Sequence, residues 1–206
     1  MGGSRGNARL TAAAGAVLTV LLLAEGVTLL GGVGRLLVPH IFIGLLLVPP
    51  VLLKLGSAGW RAACYYRRLD EYVRRGPPQL LLRILVAPVL VAATVVMLAT
   101  GIAAAWVGHG GILLGLHKVS FVVWGAAFAV HFLAYVLRVP RLVELDWWRP
   151  DGLGGRRLRQ LLVAGAVVAG VVAAIAALPL AHRWHVGYAG KPGSSRIEAK
   201  SLSAAA

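Results

Sequence analysis

His117 and His131 stand fourteen residues apart in LHKVSFVVWGAAFAVHFLAYVL, residues 116–137, a stretch that is otherwise almost wholly apolar. Fourteen residues of α-helix turn through about 1400° and rise ~21 Å. The two imidazoles therefore share one helix face at two depths. A polar ring inside lipid is costly and turns toward a partner in the bundle interior. Neutral imidazole is also a good ligand for iron. Two imidazoles on one stripe suit two stacked haems, each reached from the same helix. The plainer alternative is a pair of polar side chains hydrogen-bonded to neighbouring helices.

A six-coordinate haem iron needs a second axial ligand from a facing helix. His40 lies about as far before the middle of its own apolar run as His117 does before the middle of the later one. Fourteen residues after His40 comes Lys54, at the depth of His131. The outer pair is then His40 and His117. The inner pair is His131 and an amine. Lys54 has three readings: its stem lies along apolar surface with the ammonium at the inner interface, it pairs with a haem propionate, or it ligates iron as the neutral amine. Gly44, Gly125 and Gly101 lie where a flat macrocycle between helices needs gaps in side-chain volume, and they equally permit close helix packing.

These positions require helices long enough to cross a bilayer. The chain of 206 residues is 59% hydrophobic, with a mean hydropathy of +0.80, and soluble domains are ordinarily about 45–50% apolar. Five apolar runs reach the ~20 residues that span a bilayer core: roughly 10–31, 36–56, 80–107, 112–138 and 158–181. The expected fold is an all-α polytopic membrane bundle of about five transmembrane helices. A tail over 1–9 precedes the bundle, 10–184 forms it, and a polar tail, expected to be disordered, follows over 185–206. Pro49 and Pro50 are expected to kink or locally unwind the second span.

The net charge of +14 suggests nucleic acid until its distribution is read. Arg61, Arg67, Arg68, Arg74 and Arg75 fall between spans two and three, and Arg138, Arg141, Arg149, Arg156 and Arg157 between spans four and five. Such loops are cytoplasmic by the positive-inside rule. This puts the N-terminus inside and the C-terminus outside, and removes the reason to invoke nucleic acid. The lone Cys64 excludes an internal disulfide and a cysteine-based cluster. No cleavable signal peptide is convincing in the first run. There is no Walker loop, dinucleotide fingerprint, HExxH or paired-carboxylate constellation, so hydrolase and ATPase chemistry have no support.

The run HIFIGLLLVPPVLLKLGSAGWRAACYYRR, then GPPQLLLRILVAPVLVAATVVMLATG, then LHKVSFVVWGAAFAVH resembles the di-haem transmembrane cytochrome b superfamily, and in particular a cytochrome b-like membrane protein of high-GC Gram-positive bacteria. The resemblance covers residues 36–138 or so. It implies binding of haem b, at one site or two, and transmembrane electron transfer. It makes His40, His117 and His131 the ligand candidates, with Lys54 where a fourth histidine would stand. It further implies a bacterial plasma membrane, a role as an electron-transfer subunit rather than a complete enzyme, and quinone and an extracytoplasmic redox protein as exchange partners. The rival expectation is a non-haem scaffold or transporter subunit whose histidines are structural or proton-linked.

Other residues carry less. Glu25 is the one acid within an apolar span; it relays a proton, faces quinol, or pairs with an internal donor. His109 lies in a glycine turn. His182 and His185 are spaced to hold one metal weakly at a helix end or are simply interfacial. Trp106, Trp147, Trp148 and Trp184 read as interfacial belt residues.

Overall fold

The computed structural model describes residues 3–74, 81–108, 111–148 and 152–181. Every regular element among them is helical. The order is α1 (Gly3–Leu30), α2 (Leu37–Tyr66), a single turn α3 (Asp70–Val73), a π-helical turn (Leu82–Val86) that runs into α4 (Ala87–Val107), α5 (Gly111–Tyr135), α6 (Val139–Trp147) and α7 (Arg156–Ala176). Five of these are long and apolar enough to cross a membrane: α1, α2, the continuous stretch Leu82–Val107, α5 and α7. The chain is a multi-pass helical membrane protein. Its large outward-facing apolar side chains, such as Leu23, Leu52, Val122 and Leu133, face what lipid covers, because helices satisfy their own backbone polarity there.

The five expected spans are present, with different ends. α1 begins at Gly3, ahead of the expected start near 10, and α2 continues to Tyr66, past the expected end near 56. These extensions are tied together. The Ser4 amide donates to a Glu71 carboxylate oxygen over 2.7 Å, and the Asn7 amide nitrogen donates to the Ser57 carbonyl over 2.9 Å. The short α6 occupies the loop between the last two spans and packs on α1. The start of α1, the Arg-rich end of α2, α3 and α6 therefore share one end of the bundle.

Prolines shape two helices differently. Pro88 has no N–H for the Ile84 carbonyl, and just upstream the Ala87 amide reaches back five residues to the Leu82 carbonyl. A π turn of this kind is one way to seat a backbone irregularity within a continuous helix. Pro49 and Pro50 lie inside α2, which stays one helix from Leu37 to Tyr66 rather than unwinding. Their missing N–H groups leave the Leu45 and Leu46 carbonyls without the usual partner four residues on. At Gly170, α7 closes over the Leu46 carbonyl so tightly that an added Cβ would overlap that oxygen. Cα–H groups at such close approaches offer weak donors to a bared carbonyl.

Packing divides the bundle into two parts. α1, α2 and α7 meet around Leu10, Ala13 and Val163, with Val17, Leu53 and Leu162 against them. α4 and α5 form an antiparallel hairpin whose two helices pack along their length. Between the parts, α2 meets α4 along a short contact, and the α2 and α5 backbones stay apart. α5 is sparsely covered, with Ser120 its one fully buried residue.

Candidate haem site

His40 is the fourth residue of α2 and His117 the seventh of α5. The structure brings their rings together across the gap between the two half-bundles. The ring centroids are 6.2 Å apart and the planes cross at 81°. The expected outer pair is thus a spatial pair.

Each ring is held by its Nδ1. His40 Nδ1 lies 2.6 Å from Glu25 Oε1. The acid sits five residues before the end of α1, and the six-residue turn 31–36 returns the chain so that His40 arrives at the same depth. The Glu25 and His40 side chains are only 13% and 19% exposed. The Thr28 hydroxyl donates to the Glu25 backbone carbonyl over 2.7 Å, and its oxygen stands 3.3 Å from the same His40 nitrogen. Glu25 Oε2 is buried and has no hydrogen-bond partner among the described residues.

His117 Nδ1 lies 2.9 Å from the Met97 carbonyl on α4. A carbonyl only accepts, so this contact puts the ring proton on Nδ1. Gly101 makes the approach possible: a Cβ there would stand 2.9 Å from His117 Cε1 and 3.0 Å from Nδ1. The Met97 carbonyl also takes the Thr100 hydroxyl, at 3.2 Å. Both histidines thus direct Nδ1 at an acceptor, one a carboxyl oxygen and one a carbonyl. Neither Nε2 makes a hydrogen bond among the described residues. Metal-bound imidazole is typically arranged this way, with the second nitrogen fixed by a carboxylate or carbonyl.

The spacing fits the same use. Two imidazoles trans on one metal, with ~2.0 Å per metal–nitrogen bond and roughly 1.1 Å from nitrogen to ring centre, have centroids about 6 Å apart. Gly44, one turn beyond His40, and Gly125, between the α5 histidines, both open onto space in which an added Cβ would meet nothing within 4 Å. No group of three or more His, Cys, Asp or Glu side chains able to hold a bare metal ion occurs among the described residues. A macrocycle that brings its own four nitrogens asks the protein for two.

The inner depth is built differently. His131 is half-buried, with its ring 4.9 Å from that of Tyr135 at 45°. Lys54 turns toward α1. Its amine donates to the Thr11 carbonyl over 3.2 Å and lies over Gly15, where a Cβ would be 2.8 Å from Nζ. The amine is thus engaged on α1. The structure brings His40 and His117 together as neighbours, and gives His131 and Lys54 separate partners.

Two features escaped the sequence reading. Phe121, Trp124, Phe128 and Phe132 form a ladder on α5, with successive centroids 6.2, 4.7 and 5.7 Å apart. They recur at three- and four-residue steps on the face of His117 and His131, a signal present in the sequence. Arg83, in the π turn, holds its guanidinium 5.6 and 5.4 Å from the ring centres of Tyr65 and Tyr66, a pairing across two helices that nothing local announces. His109, His182, His185, Trp184 and the tail 185–206 lie outside the described residues.

The chain matches no protein-family model, no curated protein and no solved structure.

Proposed function

We propose that the chain is a membrane-bound b-type cytochrome that moves single electrons. The observation that carries this reading is the His40–His117 pair: centroids 6.2 Å apart, both Nδ1 atoms tied to acceptors, and both Nε2 atoms without a hydrogen bond among the described residues. Bound haem b would supply reversible one-electron chemistry. His40 from α2 and His117 from α5 would hold its iron, and the open ground at Gly44 and Gly125 would leave room for it. The apolar side chains around them exclude water and, with the axial imidazoles, set the potential. His131 offers an imidazole at the inner depth; with Lys54 engaged on α1, one complete haem site is the proposal.

The positive-inside rule assigns the N-terminus to the inside: Arg67, Arg68, Arg138, Arg141, Arg156 and Arg157 flank helix ends on the side where α1 starts. That puts the His40–His117 pair near the outer face of a bacterial plasma membrane. Quinone and an extracytoplasmic redox protein are the proposed exchange partners. The deciding experiment is an absorption spectrum of the detergent-purified protein, oxidised and dithionite-reduced, with a pyridine haemochrome to count haem per chain. A sharp reduced α-band of b type is expected. A colourless protein made with ample haem sinks the reading and puts the proton-linked scaffold in front, for which the Glu25–His40 contact is the favouring observation.

A further inference from the structure

An acid inside an apolar span needs a reason, and Glu25 has one partner of note. Its Oε1 lies 2.6 Å from His40 Nδ1 and its side chain is 13% exposed. The contact is fixed from three sides: α1 carries the acid, the 31–36 turn sets the depth of α2, and Thr28 closes against both residues. His117 meets a neutral carbonyl at the equivalent nitrogen. The two rings of the pair therefore differ in one respect: only His40 has a carboxyl group behind it.

The geometry points to Glu25 as the positioning residue that sets the redox potential of the outer haem through His40, an inference that rests on the cytochrome reading. A carboxyl oxygen accepting the Nδ1 proton draws that proton from the ring and makes Nε2 a stronger electron donor. A more basic axial nitrogen stabilises ferric over ferrous iron, so the potential is held low. In a dry apolar surround the effect of one carboxyl group is larger than in water. The same bond fixes the tautomer, leaving Nε2 rather than Nδ1 to bind. Glu25 touches neither the iron nor a substrate; it acts through His40.

The test is a spectroelectrochemical redox titration of the full-length purified protein, wild type and Glu25→Gln, following the haem component that His117→Ala removes. Glutamine keeps an oxygen acceptor at similar reach and replaces the carboxyl group with the weaker acceptor of an amide. Glu25→Gln is expected to retain haem and to raise the midpoint by at least a tenfold change in the ferric-to-ferrous preference, ~59 mV for one electron. Glu25→Asp keeps the carboxyl group and withdraws it by one methylene. A smaller rise is expected, and this variant serves as the readout where the glutamine protein does not fold. A midpoint that stays at the wild-type value in a haem-loaded variant overturns the inference and leaves the cytochrome reading intact. Loss of haem with an unmoved midpoint in what remains makes Glu25 a packing residue and overturns it too. A colourless wild type overturns the cytochrome reading, and the inference falls with it.

Discussion

The imidazole of His117 lies against the bare Cα of Gly101, with Cε1 2.9 Å from where a Cβ would stand. That approach lets its Nδ1 reach the Met97 carbonyl four residues earlier on the same helix. A methyl group at 101 forces the ring to shift by several tenths of an ångström, and a larger side chain expels it. On the cytochrome reading, Gly101→Ala is expected to lower haem content to about half, and Gly101→Leu to abolish it, with helical content by circular dichroism unchanged. Gly115→Ala is the control, since an added Cβ there meets nothing within 4 Å and alanine favours a helix by up to ~1 kcal/mol over glycine. Equal haem loss in all three variants would remove Gly101 from the site.

The axial assignment separates the three histidines. On the cytochrome reading, His40→Ala and His117→Ala should each remove the haem that the other removes, because the two histidines would hold one group together. His131→Ala should leave that haem and its reduced α-band in place. Haemochrome counts on the three proteins check this. Loss of all colour in His131→Ala would move the main site inward.

Lys54 serves α1 in this structure, through the Thr11 carbonyl at 3.2 Å. On the cytochrome reading, Lys54→Met should leave the oxidised and reduced spectra unchanged while costing about 1–3 kcal/mol, the scale of leaving a buried hydrogen-bonding group unmatched. Thermal unfolding followed by haem absorbance reads both effects. A changed spectrum would make the amine an iron ligand.

Gly170 is where α7 closes over the Leu46 carbonyl bared by Pro50. Gly170→Ala inserts a methyl where backbone already stands. It should destabilise the protein by about 1–3 kcal/mol, as overpacking does. Gly165→Ala, in open space on the same helix, should not. The two midpoints of thermal unfolding decide it.

Much of this was legible in residues alone. The five spans follow from apolar length, and the shared face of His117 and His131 follows from a fourteen-residue spacing close to whole helical turns. The depth match of His40 to His117 needed only the direction of two spans. The Glu25–His40 contact was within reach as well, because a short turn between α1 and α2 sets both residues at one depth. What the residues could not say was rotation. Nothing in the pattern tells which way Lys54 points around α2, and the structure turns it to Thr11 rather than toward α5. Helix ends were also beyond hydropathy: Ser4 and Asn7 are polar, yet they extend α1 because Glu71 and Ser57 meet them across the fold. The support of His117 by Met97 is a backbone carbonyl, which carries no side-chain signature.

The gap between the two half-bundles bears on how the protein is made. α1, α2 and α7 close one core, and α4 with α5 closes a separate hairpin. The two portions meet along a short seam, and His40 and His117 face each other across it. On the haem reading, the residues that do the chemistry are also the fastening between the parts. The α4–α5 hairpin would then enter the membrane as a preformed unit, wait for its neighbour, and be stapled to it only when the cofactor arrives. Maturation and redox competence would be one event, and a cell short of haem would hold a loose assembly exposed to its membrane proteases.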